Sequence, residues 1–349
     1  MNRFNKLTQQ FLRKTSLDAP VVCFDLGSAH TRMTVDGKLV FFDRSCFVTK
    51  KFTDHVIALG SNKVHTALSG NSQLESFCPV KQGKVADIQK LSVFLQALLQ
   101  KYVKNSSSLP IVRPTIYCNL PSNLSKVQEE ALRKSLEHAG GGIIIFISSS
   151  ESIHNLIRVS YKNVNNIFAI DIGAEISNIV FLFSDSDPLE RSIVWGADLF
   201  THSIIEYVRD VYKVLLCNAN AEKIKHEIAS LPMGSNGKNQ SLELTVRAKD
   251  LISNLPTTVT VQSSDFEHLF SELLSELIEV FELVFSKLNS EQVEAISENG
   301  LFLLGGGSQL RHLDSYLIRK LRIPVTIIRH PDTAIIRGVE LARKQYEIS

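Results

Sequence analysis

The chain has 349 residues, of which 44% are hydrophobic and 21% are charged, and its formal net charge is +2. This length is too great for a single hydrophobic core and suits two α/β domains. The near-neutral charge argues against a nucleic-acid binder that relies on bulk electrostatics. Five scattered cysteines without a C-x-x-C pair are typical of reduced thiols in a cytoplasmic protein. No apolar run is long enough to span a bilayer, and no signal peptide is visible.

The first element in chain order is an amphipathic segment, predicted at residues 1–20. Met1, Phe4, Leu7 and Phe11 recur at steps of three and four residues, so a helix would place them on one face. Basic side chains on the same segment would meet anionic headgroups, which predicts weak binding to a membrane surface. The alternative is a disordered tail, or one that docks on a core.

Residues 21–160 are predicted to form a first lobe, with room for the C-terminus of the chain to pack back on it. A buried strand at 21–24 is followed by strands at 31–35 and 38–42, and Asp36-Gly37 between the last two is a hairpin signal. Further strands are predicted at 56–60, 114–118 and 143–147, and helices at 91–103, 126–139 and 152–159.

The same order restarts in residues 161–349, which we predict to be a second lobe. Strands are predicted at 167–170, 179–183, 192–195, 259–261, 300–304 and 324–328, and helices at 199–216, 221–229, 265–288 and 334–345. Each lobe opens with a strand that ends in Asp-x-Gly, at Asp25 and at Asp171. This repetition predicts a duplicated α/β fold with a cleft between two lobes.

The paired Asp-x-Gly sequences also predict a chemistry. A buried strand delivers a carboxylate to its end, and the following glycine lets the backbone turn so that N–H groups face a phosphate. Two such hairpins opposed across a cleft would hold the phosphates of a nucleotide. Asp25 and Asp171 would then hold a hydrated magnesium ion through water.

Eight segments of the chain resemble motifs of the actin-like ATPase superfamily and, within it, of the bacterial actin family MreB. Residues 25–31 read D-L-G-S-A-H-T where that family has D-L-G-T-A-N-T, and residues 304–307 read L-G-G-G near its L-T-G-G-G. The other matching segments are residues 79–87, 120–127, 196–198, 221–225, 254–259 and 331–338. The resemblance covers nearly everything from Val21 to the end of the chain, and the order and spacing of the segments carry it.

The resemblance implies the duplicated actin-like, ribonuclease-H-like fold and a site for ATP, or alternatively GTP, with Mg²⁺. Residues 28–30 would contact phosphates, residues 305–307 the adenosine and the α-phosphate, and Lys225 with Glu222 would flank the base. The full set of implied nucleotide contacts is Asp25, Gly27, Ser28, Ala29, His30, Asp171, Gly173, Ala174, Glu175, Gly196, Glu222, Lys225, Gly305, Gly306 and Gly307.

Two departures from the family pattern concern hydrolysis. The second phosphate loop, D-I-G-G-G-T-T in the family, reads D-I-G-A-E-I-S at residues 171–177. Glu175 at about 5 Å from a γ-phosphate would cost on the order of 3 kcal/mol, unless it points outward. The family orients the attacking water with a glutamate in I-E-E-P, whereas residues 147–151 read I-S-S-S-E. Glu151 is therefore either a shifted catalytic residue or a carboxylate that stabilises a helix start.

The function implied by the resemblance is that of a cytoskeletal protein whose filaments depend on nucleotide. It would be cytoplasmic and peripheral on the inner face of the cell membrane, where it would organise cell shape and cell-wall synthesis with rod-shape membrane proteins and not with nucleic acid. ATP hydrolysis would be slow or lost. The alternative is a non-polymerising actin-like adaptor that recruits partners to the membrane. A sugar or acetate kinase is disfavoured because the substrate-binding insertions of those enzymes are missing.

Overall fold

The computed structural model describes residues 19–60, 73–103, 113–122, 124–162, 164–183, 187–232 and 242–348. The chain divides into two units, one comprising Met1–Asn163 with Thr333–Ser349 and the other Val164–Asp332. Among the described residues, no helix combines the length and the apolar character needed to cross a membrane. Met1, Phe4, Leu7 and Phe11 lie outside the described residues.

The first unit begins with strands and continues with alternating strands and helices. Its strands are β1 (Val21–Leu26), β2 (His30–Val35), β3 (Lys38–Arg44), β4 (Phe47–Lys50), β5 (Val56–Leu59), β6 (Leu74–Phe77), β7 (Val80–Lys81), β8 (Lys84–Val85), β9 (Thr115–Leu120) and β10 (Ile144–Ser148). Its helices before residue 163 are α1 (Ile88–Tyr102), α2 (Lys126–His138) and α3 (Ser149–Ser160).

The second unit repeats this order. Its strands are β11 (Ile167–Ile172), β12 (Ser177–Leu182), β13 (Leu189–Ile193), β14 (Val214–Leu215), β15 (Glu243–Asp250), β16 (Pro256–Gln262), β17 (Leu301–Leu304) and β18 (Val325–Ile327). Its helices are α4 (Ala197–Tyr212), α5 (Asn218–Glu227), α6 (Ser264–Phe285), α7 (Ser290–Asn299) and α8 (Leu313–Leu321). The chain then returns to the first unit with α9 (Ala334–Ile348).

The main sheets of the two units have the same topology. The first has the order β10-β9-β1-β2-β3 and the second β13-β12-β11-β17-β18. In each sheet the first three strands form an antiparallel meander, and two later strands add in parallel on the other side of the opening strand. The duplication predicted from the paired Asp-x-Gly sequences is confirmed.

The opening strand of the first unit is apolar because both faces of its sheet are covered. Val22 and Phe24 point to one face and pack with Phe94 of α1. Cys23 points to the other face and packs with Val339 of α9. A strand buried on both faces reads as a continuous apolar run, as residues 21–24 do.

Helix α9 packs on one face of the first sheet, and it also packs closely against α3. Gly338 lies against the backbone of Ser152, where a Cβ would overlap the Ser152 carbonyl group. Glu340 accepts a hydrogen bond from the Thr34 hydroxyl of β2. It also forms an ion pair with Arg343, whose Nε lies 3.0 Å from Glu340 Oε2. The C-terminal helix is thus attached to the first unit by both close packing and buried polar contacts.

The long helix of the second unit buries one stripe against the second sheet. Its buried residues recur at steps of three and four and are Phe266, Phe270, Leu274, Leu277, Phe281 and Val284. Phe281 meets Phe168 of β11 edge-on, with the ring centroids 5.6 Å apart. The predicted helix 265–288 is therefore present, and it ends three residues earlier than expected.

Several predicted boundaries differ from the observed ones, and two differences in the second unit have clear physical reasons. The helix predicted at 199–216 ends at Tyr212, because Lys213 adopts a left-handed conformation and Val214–Leu215 pairs with β15. Helix α7 was not predicted, although Asn289 and Gln292 form a capping box at its start. In the first case a long-range strand partner overrides local helical spacing.

We predict that Gly338→Ala loosens the contact between α9 and α3. The added Cβ would meet backbone atoms of Ser152 that have little freedom to move, and overpacking of this kind typically costs about 1–3 kcal/mol. Thermal unfolding followed by circular dichroism should show a lower midpoint. Lys344→Ala, at an exposed position of the same helix, is the matched control. Equal midpoints for the two variants would contradict the packing described above.

Candidate functional site

The first Asp-x-Gly sequence forms a tight turn between β1 and β2. The Gly27 N–H donates to the His30 carbonyl at 3.1 Å, which closes the turn. A Cβ on residue 27 would lie 2.8 Å from that oxygen, so glycine is required for this close approach. Ser45 supports the turn, since its N–H donates to the Ala29 carbonyl at 2.9 Å and its hydroxyl to the Gly27 carbonyl at 2.5 Å.

The side chains of the same turn have partners within the first unit. The Ser28 hydroxyl accepts a hydrogen bond from the Gly83 N–H at 3.0 Å. The His30 ring packs edge-on against Phe42, with 5.7 Å between the centroids. The structure therefore brings Asp25, Gly27, Ser28, Ala29 and His30 together on one supported hairpin.

Asp25, near the end of β1, is paired with Arg32 of β2. The two are cross-strand neighbours, and Arg32 Nη1 lies 3.2 Å from Asp25 Oδ2. Burial raises the pKa of Asp25, and the Arg32 charge opposes that shift. The motif comparison did not single out Arg32. The signal was available, because a hairpin that turns at residues 27–30 places residues 25 and 32 opposite each other.

The second Asp-x-Gly sequence forms an equivalent turn between β11 and β12. The Gly173 N–H donates to the Ile176 carbonyl at 3.0 Å, the counterpart of the contact in the first hairpin. The start of α4 docks on this turn: the Ala197 N–H donates to the Gly173 carbonyl at 2.9 Å, and the Asp198 N–H to the Ala174 carbonyl at 2.8 Å. Gly196 allows this, since a Cβ there would overlap the Ala174 carbonyl.

Residues 174 and 175 stand where the family pattern has glycines, yet their backbone is ordinary. Neither is among the described residues with positive φ. Ala174 and Glu175 therefore introduce no left-handed strain, and the turn keeps its closing hydrogen bond without the two glycines. The departure from the family motif adds a negative charge to a loop that is closed by the same kind of glycine N–H hydrogen bond as the first hairpin.

The triple-glycine loop lies beside Asp171. β17 pairs with β11 in parallel, with Leu304 opposite Asp171, so residue 305 leaves the sheet at the same edge as the aspartate. Gly305 has a φ of +80°, which favours glycine. A Cβ on it would lie 2.5 Å from Asp171 Oδ1 and would also overlap the Ile172 carbonyl. A Cβ on Gly306, by contrast, would meet nothing within 4 Å, so the loop is open at that position.

Lys225 and Glu222 connect α5 to the start of α4. The Lys225 ammonium donates to the Ala197 carbonyl at 3.1 Å, to Thr201 Oγ1 at 2.7 Å and to Glu222 Oε1 at 2.9 Å. These contacts use all three N–H donors of a lysine that is only 7% exposed. Lys225 therefore holds in place the start of α4, which docks on the second turn. Its partner Thr201 was not indicated by the sequence motifs.

Glu151 lies in the first turn of α3, where its N–H donates to the Ser148 hydroxyl at 3.1 Å. Burial raises the pKa of Glu151, and a hydrogen bond with Tyr346 of α9 opposes that shift. Burial, together with the contact with Glu151, raises the pKa of Tyr346 to about 12. These contacts favour a helix-start carboxylate held against the C-terminal helix, and the catalytic role of Glu151 stays a prediction.

The residues expected to hold magnesium differ between the units. Mg²⁺ keeps several waters and binds through carboxylate oxygens, so a competing cation on the same carboxylate disfavours it. Asp171 lies beside the glycine loop, and its cross-strand neighbour is Asn178. Asp25 does not fit this requirement, because its carboxylate is shared with Arg32. In the described parts of the chain no group of three or more His, Cys, Asp or Glu residues is arranged to hold a metal ion.

We predict that the Glu222 contacts make stability depend on pH. Burial raises the pKa of Glu222, but hydrogen bonds with His226, Thr201 and Lys225 and the Lys225 charge outweigh it, so the pKa lies well below the ordinary 4.5. The Glu222 contacts therefore contribute fully to the free energy of unfolding when the pH is above 4.5. This contribution is lost progressively as the pH falls from 4.5 towards the lower pKa of the folded protein. The unfolding midpoint of Glu222→Gln should therefore lie below the native midpoint at pH 7, and the difference should narrow towards pH 3.

The exposed substitution Glu276→Gln on α6 is the control for this experiment. A difference between native protein and Glu222→Gln that stays constant from pH 7 to pH 3 would refute the electrostatic explanation.

Comparisons with known proteins identify the family and the fold. The chain is 26% identical over 319 residues to the cell shape-determining protein MreB of Escherichia coli (strain K12), covering 90% of each chain. The crystal structure of MreB5 of Spiroplasma citri bound to AMPPNP matches with a TM-score of 0.83 at 20% identity, over 95% of this chain and 98% of the other. A MamK double helical filament matches with a TM-score of 0.74 at 19% identity, over 93% of this chain and 99% of the other.

These structural matches confirm the actin-like fold that the motifs predicted. The sequence model of the MreB/Mbl protein family matches residues 20–348, which is nearly the whole chain. The chain belongs to the MreB/Mbl family.

Proposed function

We propose that this protein binds an adenine nucleotide and assembles into actin-like filaments that organise cell shape. The observation that carries the proposal is the convergence of distant segments in the second unit. Asp171 contacts the Gly305 loop, and the turn at Gly173 receives the start of α4. The S. citri relative with the same fold is bound to AMPPNP in its crystal structure, and the E. coli relative is a cell shape-determining protein.

The proposed ligand contacts follow from the chemistry of these segments. The turn at residues 173–175 lies next to the N-terminus of α4, whose dipole favours negative charge such as phosphate. The Ala197 and Asp198 N–H groups are donated to the turn itself, so the phosphate contacts are proposed to come from the backbone of the turn. The open backbone at Gly306 suits a flat purine nucleoside, which needs close approach without side chains. The turn at residues 27–30 has the same backbone closure and is proposed to contact phosphate in the same way.

We propose that hydrolysis by this site is slow. Glu151 is engaged with Tyr346, and the residues before it, Ser149 and Ser150, have no carboxylate with which to orient water. Glu175 adds a negative charge to a loop that would receive the γ-phosphate. Nucleotide would then act mainly as a binding switch for assembly.

Assembly at a membrane is the remaining part of the proposal. The MamK relative is seen as a double helical filament, which supports self-association by this fold. The predicted amphipathic residues Met1, Phe4, Leu7 and Phe11 would attach each subunit weakly, and many subunits on one filament would bind together through avidity. The filament would then lie on the inner face of the cell membrane, with wall-synthesis membrane proteins as partners.

We predict that sedimentation and filament formation require the Gly305 loop. Valine at the Gly305 φ of +80° and ψ of 163° strains the backbone by about 1–3 kcal/mol before any collision with Asp171 is counted. Gly305→Val should therefore weaken ATP binding by about tenfold or more, since each factor of ten is about 1.4 kcal/mol. It should also abolish nucleotide-dependent pelleting and the filaments seen by electron microscopy.

The matched control is Gly140→Val, which imposes a comparable strain at φ +107° in the first unit. Titration with GTP as competitor measures base preference in the same assay. A native protein that remains monomeric at high concentration with ATP would refute the filament proposal and favour an adaptor.

We predict that Glu175→Gly strengthens binding of ATP more than binding of ADP. Only the triphosphate brings a γ-phosphate near this position, so removing the carboxylate should relieve repulsion in that state alone. The measurement is the ratio of the two dissociation constants, together with phosphate release. Glu206→Gln, at an exposed position on α4, is the control. An unchanged ratio would mean that Glu175 points away from the phosphate.

A further inference from the structure

The ion pair between Asp25 and Arg32 is built into the first hairpin. Their Cα atoms are cross-strand partners, Arg32 Nη1 lies 3.2 Å from Asp25 Oδ2, and the side chains are only 12% and 13% exposed. Charges so far removed from water interact strongly, and leaving either one alone is unfavourable. The carboxylate at the end of β1 therefore already has a cation supplied by the chain.

The guanidinium of Arg32 is fixed by contacts besides Asp25. The same Nη1 atom donates to the His30 carbonyl at 3.3 Å, which also accepts the hydrogen bond that closes the turn. The guanidinium carbon lies 4.9 Å from the centre of the Phe42 ring, within the range of a cation–π contact. A Cβ on Gly27 would lie 3.7 Å from Nη1, so the positive charge lies directly beside the turn.

One donor of this guanidinium is not satisfied by the described residues. Arg32 Nε is buried and has no hydrogen-bond partner among the described residues. Arginine stays charged at all physiological pH values and is well suited to phosphate recognition. Arg32 therefore places a fixed positive charge beside a turn of the type that binds phosphate.

The second hairpin has no equivalent charge at this position. The residue across from Asp171 is Asn178, whose side-chain oxygen accepts a hydrogen bond from the Ser192 hydroxyl at 2.5 Å. The two hairpins share topology and turn closure, so this register position isolates one chemical difference between them.

We propose that Arg32 replaces magnesium as the counter-cation of Asp25, so that this protein binds nucleotide with little dependence on Mg²⁺. The inference rests on the proposed nucleotide binding. It assigns to Arg32 a positioning and charge-compensating role that the phosphate-loop motif itself does not contain. Arg32 keeps positive charge beside the Asp25 carboxylate and the turn whether or not a metal ion is present.

The test is the dissociation constant of ATP, measured with excess Mg²⁺ and again with EDTA. For the native protein the two values should agree within about threefold, which is less than 1 kcal/mol. For Arg32→Leu the dissociation constant in EDTA should be higher than the constant in Mg²⁺ by about tenfold or more. Arg32→Lys keeps a positive charge and should restore most of the metal independence. Mn²⁺ binding to the nucleotide-free protein, followed by electron paramagnetic resonance, should increase in Arg32→Leu.

Arg209→Leu is the matched control, because Arg209 forms an exposed ion pair with Asp210 in the second unit and should leave the metal dependence unchanged. Circular dichroism checks the fold of each variant, and the native measurement tests the proposal even where Arg32→Leu fails to fold. Native binding that requires Mg²⁺ would overturn this inference and leave the proposed function standing. A complete lack of nucleotide binding in both buffers would overturn the proposed function and the inference with it.

Discussion

The parallel pairing of β17 with β11 is the constraint on which the candidate site of the second unit depends. This register places Leu304 opposite Asp171, so the chain leaves the sheet as Gly305 at the edge where the aspartate ends its strand. The left-handed φ of Gly305 and the missing Cβ then allow the loop to lie against Asp171 and Ile172. A shift of one residue would turn Asp171 to the opposite face of the sheet and separate the two segments.

In each unit, buried charges that neutralise one another determine where helices dock. Lys225 donates hydrogen bonds to Ala197, Thr201 and Glu222, and these contacts fix the start of α4 on the second turn. In the first unit, Glu340 joins α9 to β2 through Thr34 and is paired with Arg343. Such groups contribute little net stability as pairs, but removing one partner is costly, so they define where each helix must dock.

The sequence predicted the parts of this arrangement that local patterns encode. Apolar runs that end in Asp-x-Gly identified both opening strands, and their repetition predicted two sheets of one topology. Contacts between distant segments were not predictable in this way. The end of α4 at Tyr212 depends on β15, some thirty residues later, and the engagement of Glu151 depends on Tyr346 at the other end of the chain. Arg32 is intermediate, because counting across the turn pairs it with Asp25, although the phosphate-loop motif stops one residue before it.

The two hairpins have the same topology and turn closure but carry different charges. Both close their turns with the same backbone hydrogen bond, from Gly27 to His30 and from Gly173 to Ile176. Backbone closure of this kind depends on one glycine and on the sheet, so neighbouring positions are free to change charge without changing the path of the chain. The first hairpin carries a cation at Arg32, and the second carries an anion at Glu175 with no left-handed strain. Because both turns have this closing hydrogen bond, the charges of Arg32 and Glu175 are a chemical difference between two hairpins of the same topology.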